Sequence, residues 1–553
     1  MSMNINQECD VIVIGSGVAG LSCAALLATA GKHVRVLESH DAPGGCAHGW
    51  QRLGYHFESG PSLYSGFTPG QGEESTNPLY NIFRIIGESP EWIQYDRWGT
   101  CLPNTPPFAA KQGPVEFRAV LEKYGGVEGV REWDLIIAEL LKPEGVAEAS
   151  QAISPLLLRE DAGIVVTLLR NFRGLKLAVK HGAALNAPFI DLVKKLELKN
   201  AFVLNWLNLL TFLLQGLPSE GTMMAVIAYM MKDWYRPGVC LDFPRGGSGE
   251  IVAALVRGVE KGKVLGYSGT NSNPNRSSVE TNRHVDEIIV RDGRAVGVKV
   301  RNTRTGVVEE ILAKTAVVCN ADLRVLRKIL PRGAHAKMDQ HLDTLTADIP
   351  LLPSFIHLHA GIDASALPKE ASEALPAQWV VVDSWERGVE APRNVVLVSV
   401  PSLLDPSLAP TGKHIIHAYT PATELYTDWQ HLDRASDEYK AKKAEAATFL
   451  WDAVEKYIPN ARNLSDKRCE QLGTPLTHER FLRRAGGSYG PRIVAGTAPT
   501  LPGHKTPLKG LYMCGDFSFP GIGIPAAAAS GAVTAHTILP LGQHLSLLKK
   551  IGL

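Results

Sequence analysis

Gly15-Ser16-Gly17-Val18-Ala19-Gly20 sets three glycines in the pattern GxGxxG, after an apolar β-branched run at 11–14 and before a helix-like stretch at 18–30. Glycines so spaced allow a tight turn, let the backbone approach a pyrophosphate and permit close helix packing. The helix N-terminus then attracts the phosphates. Glu38 ends the next apolar run, 18 residues after Gly20. A carboxylate there accepts hydrogen bonds from both ribose hydroxyls and repels a 2′-phosphate, which favours FAD or NAD over NADP. Two remote segments separate FAD from NAD. In Pro43-Gly44-Gly45-Cys46-Ala47 a glycine doublet lets the chain pass close to a diphosphate with no side chain in the way. Gly510-Leu511-Tyr512-Met513-Cys514-Gly515-Asp516 reads as a buried strand ending in Gly-Asp, followed by Pro520-Gly521-Ile522-Gly523-Ile524-Pro525 and four alanines at 526–529. Small residues opening a helix suit a flat ring lying on the backbone, and Asp516 is placed to accept from a ribityl hydroxyl. An NAD enzyme needs no such second half, so FAD is the expected cofactor.

Metal chemistry is not expected. His357 and His359 lie two apart on a probable strand and share a face, but no third ligand stands at recognisable spacing. The eight cysteines, at 9, 23, 46, 101, 240, 319, 469 and 514, form no CxxC pair, so neither a zinc ribbon nor a redox dithiol is encoded.

The elements that must hold these residues follow from periodicity. Residues 10–38 read as strand, glycine turn, helix and strand, a βαβ unit. From about 77 to 242 the alternation stops and the chain is helix-rich, including 82–86, 156–179 and 201–217. Strands return at 285–290 and 296–300, joined by an Asp292-Gly293 turn, and at 315–319. Further strands are expected at 355–359, 379–382 and 395–400, a charged helix at 435–457, and an Ala-rich helix at 526–536. The polar stretch 266–281 reads as a surface loop. The 553 residues carry 57 Lys+Arg against 56 Asp+Glu, a net charge of +1, so no global field concentrates nucleic acid and no nucleic-acid partner is expected. Residues 1–9 contain neither an apolar signal-like core nor an Arg/Ser-rich amphipathic stretch.

The cofactor blocks are joined by Tyr55-His56-Phe57-Glu58-Ser59-Gly60-Pro61-Ser62, by Pro244-Arg245-Gly246-Gly247-Ser248-Gly249 and by Gly473-Thr474-Pro475-Leu476-Thr477-His478-Glu479-Arg480-Phe481-Leu482. Together they resemble the carotenoid isomerase branch of the phytoene desaturase superfamily, which also includes the retinol saturases. The resemblance runs from about residue 10 to 536. It departs from the usual pattern at Glu58, where such proteins usually have Asp, and in the length of the 266–281 segment. It implies FAD contacts at Gly15, Gly17, Ala19, Gly20, Glu38, Gly44, Gly45, Gly515, Asp516, Gly523 and Ile524, with Gly60, Pro61 and Ser62 near the ring. His48, Glu58, His478 and Tyr489, in or beside these blocks, are the candidate proton donors.

The expected fold is α/β: a discontinuous Rossmann-type FAD-binding domain (1–76, 243–330 and 501–553) with inserted substrate domains, helical at 77–242 and mixed at 331–500. The implied activity is on a conjugated polyene, first of all carotenoid cis/trans isomerisation. Desaturation, saturation of a retinoid-type double bond and flavin-assisted hydration stay open, as does a non-catalytic pigment carrier. Residues 200–231 carry one charge, Glu220, yet Asn205, Asn208, Gln215, Gly216 and Pro218 interrupt them, so a buried helical pair is expected rather than a membrane span. Arg173, Lys176 and Lys180 share a helical face beside Phe172, Leu175 and Val179. That face suits peripheral contact with a bilayer, in a plastid or on the cytoplasmic or thylakoid side of a bacterial membrane.

Overall fold

Val11, Ile12, Val13 and Ile14 are buried in succession, the pattern of a central parallel strand covered on both faces. In the structure, a computed structural model describing residues 8–60, 63–70, 74–111, 113–261, 276–368 and 374–553, the Glu8–Ile14 strand lies between Val34–Leu37 and Val308–Cys319, parallel to both. Leu511–Met513 pairs parallel with Val308–Cys319, and Arg283–Arg291 and Arg294–Asn302 extend the sheet as an antiparallel hairpin. The strand from the N-terminal block thus meets the strand from the C-terminal block across one intervening strand. The helix Val18–Thr29, built of small and apolar residues, packs against Gly249–Glu260 and against the Ala-rich helix Ile524–Ile538.

Two local expectations change. Ser278–Glu280 forms an edge strand parallel to Val34–Leu37, held by an Arg35–Glu280 ion pair at 2.7 Å, so the segment expected as a loop over 266–281 ends in sheet. Its residues 266–275 lie outside the described residues. The helical stretch expected over 156–179 breaks into a short turn at Pro155–Leu157 and helices Ile164–Leu169 and Phe172–Asn186. Asn171 ends one helix and caps the next, its Oδ1 accepting from the Gly174 N–H at 3.0 Å.

A second, mainly antiparallel sheet runs in the order Gln471–Gly473, His357–Asp363, Lys413–Tyr419, Val395–Ser399, Gln378–Val382, Arg97–Cys101 and Phe108–Lys111. The helix Asp437–Val454 covers one face through Trp451 and Leu450 against Trp379, Val398 and Ile416. On the opposite face, Val380, Val382 and Leu397 pack with helices Ala201–Gln215 and Met224–Trp234. Those two helices contain the low-charge run, and its Trp206, Leu209, Phe212 and Ile227 are core residues, as the buried-pair reading expects. No helix among the described residues is long and apolar enough to cross a membrane.

Candidate active site

The glycine fingerprint sits where the Glu8–Ile14 strand hands over to its helix. Gly17 caps that helix without a side-chain acceptor, and Gly523 likewise opens Ile524–Ile538, so both helix N-termini keep backbone N–H groups available to an anion or a ring oxygen. A Cβ on Gly20 would stand 2.4 Å from the Gly15 carbonyl oxygen, which explains why this position takes no side chain. Gly44, at φ +119°, bridges to Gly17 and donates its N–H to the Ser16 carbonyl at 3.1 Å, bringing the glycine doublet onto the fingerprint. Glu38 lies at the end of Val34–Leu37, its Oε2 accepting from the Ser16 N–H at 2.9 Å and the Ser16 hydroxyl at 2.6 Å. Gly515 follows the Leu511–Met513 strand, and its N–H donates to the Ser530 hydroxyl at 3.0 Å. The side-chain-free backbone and two uncapped helix starts fit a dinucleotide. Pro61 and Ser62 lie outside the described residues, while Gly60 approaches the Cys46 carbonyl so closely that a Cβ would clash.

Three contributors escaped the sequence reading. Ser16 reads as an anonymous x in GxGxxG yet holds Glu38 in place. The Asn320 side chain, beyond the Val308–Cys319 strand, donates to the Gly15 carbonyl at 3.4 Å. Arg484 is a guanidinium buried beside the cofactor blocks. It donates to Asp516 Oδ2 at 2.6 Å and to the Ser488 carbonyl at 2.9 Å, and lies 4.0 Å from Cys46 Sγ. The carboxylate of Asp516 holds Arg484 firmly charged. The only signal for it was an arginine pair just past the recognised block at 473–482.

The four proton-donor candidates fall on one run of rings. His48 bonds the Gly45 carbonyl oxygen at 2.8 Å through Nδ1 and stacks 5.5 Å from Trp50, which meets His359 edge-on at 4.9 Å. Glu58 is 4% exposed. Its Oε1 accepts from the Ser248 N–H, its Oε2 has no partner among the described residues, and its carbonyl accepts from His359 Nε2 at 2.8 Å. His478 lies 4.0 Å from Phe355 and 4.9 Å from His357, and Tyr489 meets Phe355 edge-on at 5.9 Å. Burial separates these groups. It raises the Glu58 carboxyl to about 7, lowers His478 to about 3, lowers His48 and raises Tyr489. Glu58 is thus poised to exchange a proton near neutrality.

His357 and His359 do have a third imidazole beside them, one that stands at no recognisable spacing in the sequence. Cross-strand register sets His417 opposite His359, and one nitrogen from each of the three rings lies within 4.8 Å of the others. The spacing that brings them together is between strands, 60 residues apart in sequence from His357 to His417, and leaves no linear motif. An open cleft of about 970 Å³ lies elsewhere, lined by Arg393, Glu424, Phe449 and Lys456, and shares no residue with the nucleotide blocks.

Comparison with known proteins agrees with this geometry. Residues 18–539 match the family of flavin containing amine oxidoreductases. The chain is 29% identical to prolycopene isomerase 2, chloroplastic, from an Oncidium hybrid cultivar, over 96% of this chain and 84% of that protein. It is 25% identical to the all-trans-retinol 13,14-reductase of Danio rerio, over 99% and 88% of the two chains. Among solved structures, an oxidoreductase from Methanosarcina mazei superposes with a TM-score of 0.59 at 16% identity, over 94% of this chain and 98% of that one. The fold is that of an α/β flavoprotein with a Rossmann-type nucleotide sheet.

Proposed function

We propose that this chain, which belongs to the flavin containing amine oxidoreductase family and uses FAD, acts on a long conjugated polyene, most directly by cis/trans isomerisation of a carotenoid. The observation that carries the reading is the end-to-end similarity to a prolycopene isomerase, which takes in both the nucleotide half and the sheet that bears the histidines. When bound and reduced, FAD would supply the electron density or hydride that lowers the bond order of a polyene double bond, a chemistry with no net redox change.

The chain's own residues divide the remaining work. Gly15, Gly17, Ala19, Gly20, Gly44 and Gly45 are assigned to the diphosphate, Glu38 to the ribose, Gly515 and Asp516 to the ribityl chain, and Gly60, Pro61, Ser62, Gly523 and Ile524 to the ring. Glu58 holds a proton at Oε2 near neutrality, where a carboxyl in water would have lost it. His48, His478 and Tyr489 remain neutral there and form a polar aromatic wall that orients the substrate and excludes water. The division of the chain into an FAD unit (1–76, 243–330, 501–553) and substrate units (77–242, 331–500) belongs to the same proposal. It is supported by the nucleotide sheet drawing its strands from the first three stretches only.

A polyene dissolves in bilayers rather than water, so peripheral membrane contact is part of the reading. The supporting surface is the pair of helices Ile164–Leu169 and Phe172–Asn186. Val165, Val166, Leu169, Phe172 and Val179 are exposed there beside Arg170, Arg173, Lys176 and Lys180. The relatives named chloroplastic support a plastid or plastid-like setting.

Incubating the FAD-loaded protein, oxidised or reduced, with cis-carotenoids in liposomes and weighing the products tests the reading. Unchanged mass is expected. Loss of two hydrogens would assign a desaturase, gain of two a saturase, and gain of water a hydratase. Stoichiometric pigment binding with no product in either redox state would leave a carrier.

A further inference from the structure

We propose that His357, His359 and His417 form a buried site for one divalent transition metal of the zinc type, a proposal that stands apart from the polyene reading. The antiparallel register pairs His359 with His417 and His357 with Tyr419, which puts all three imidazoles on one face of the sheet. They are 3%, 5% and 2% exposed in chain order.

Their hydrogen bonds leave lone pairs for an ion. His359 Nε2 faces the Glu58 carbonyl oxygen at 2.8 Å and must donate, so Nδ1 is the bare nitrogen. A metal-ligating histidine is typically held in this way, by its other N–H on a carbonyl. His417 Nε2 and His357 Nδ1 stand 3.0 Å apart and share one proton. Tetrahedral zinc, with Zn–N bonds of about 2.0–2.1 Å, separates neighbouring ligand nitrogens by about 3.3 Å, so an ion could take the place of that proton, which moves to the other nitrogen of its own ring, after a shift of a few tenths of an ångström. His417 Nδ1 has no partner among the described residues. A cluster serving only as sheet core would gain by being apolar, because unpartnered buried nitrogens cost stability.

One adjustment is required. The His359 and His417 rings lie parallel within 8° at 4.6 Å, so His359 must turn to aim Nδ1 at an ion shared by the other two. The donor set of three neutral imidazoles, without thiolate or carboxylate, suits Zn²⁺, Ni²⁺, Cu²⁺ or Fe²⁺ and not Mg²⁺ or Ca²⁺. Three protein ligands leave a fourth position open. His478, 4.9 Å from His357 and with Nε2 unpartnered among the described residues, is the nearest further imidazole.

The test uses full-length, tag-free, FAD-loaded protein produced with added zinc and dialysed against a weak chelator. Elemental analysis should find one zinc per chain, and zinc X-ray absorption should show at least three imidazole nitrogens at about 2.0 Å. His357→Gln and His417→Gln should each weaken zinc binding by more than about 100-fold while the flavin absorbance is retained. His414→Gln, which removes the ring bonded to Ser402 at 3.0 Å, should leave the zinc content unchanged. Wild-type protein that takes up no zinc, or zinc that survives in a His357→Gln/His417→Gln double variant, overturns the site. If the variants fail to fold, the wild-type absorption spectrum decides, and fewer than three imidazoles overturns it.

Discussion

The nucleotide sheet and the second sheet solve recognition in opposite ways. Around Gly15, Gly20, Gly44 and Gly523 the chain presents bare backbone, and the distinguishing feature of each residue is the side chain it lacks. On the inner face of His357–Asp363 and Lys413–Tyr419 the chemistry is all side chain: three imidazoles stacked through strand register. Backbone recognition is contiguous along the chain, because a turn and a helix start occupy neighbouring residues. Side-chain recognition on a sheet is contiguous only across strands.

The steepest test of the first half is Gly20→Val. Its Cβ would stand 2.4 Å from a carbonyl oxygen that cannot move without breaking the turn. We expect protein without FAD and a stability loss of about 3 kcal/mol or more, read by flavin absorbance and denaturant unfolding. Retained flavin would break the claim that the fingerprint works by absence of side chains. Glu38→Ala should come next. Losing two ribose hydrogen bonds to a charged acceptor is worth about 3 kcal/mol or more, over 100-fold in FAD dissociation constant by titration.

How much of each half the sequence discloses follows from the same contrast. The βαβ unit, the hairpin at Asp292-Gly293 and the Ala-rich C-terminal helix stand where periodicity puts them. The break at Asn171 was hidden because its flanking residues continue an apolar helical pattern, and only a cap interrupts it. The edge strand Ser278–Glu280 is short and polar and owes its form to pairing with Val34–Leu37. Asn320 reaches Gly15 from 305 residues away and Arg484 reaches Asp516 from 32, so no local spacing announces either. His417 stayed invisible for the same reason.

Glu58 sharpens the comparison from the second half, since it lies on the strand Tyr55–Glu58 and bonds His359 through its carbonyl. Burial raises its folded-state pKa from the ordinary 4.5 to about 7. Between these values the folded protein keeps a proton that the unfolded chain releases, so Glu58 contributes its full relative stability below about pH 4.5 and loses it as pH rises to about 7, by about 3 kcal/mol in all. Glu58→Gln should flatten that loss, measured as the difference between variant and wild-type unfolding free energies at each end of the window. A parallel pH dependence in the two proteins would place the Glu58 proton elsewhere.

The smallest effect belongs to the exposed helices. Lys176→Gln should weaken binding to anionic vesicles by about 1 kcal/mol, roughly fivefold in partitioning by sedimentation, and added salt should erase the difference. Salt-insensitive binding would assign contact to Phe172, Val165 and Leu169 instead of the basic face.

The central claim, that this flavoprotein isomerises a polyene without consuming reductant, is tested most directly under anaerobic conditions. FAD on the protein is reduced once, excess reductant is removed, and many equivalents of a cis-carotenoid in liposomes are added. Many turnovers per reduced flavin are expected, with all products of unchanged mass. One turnover per reduction with two hydrogens gained, or full activity with the oxidised flavin alone, would contradict it.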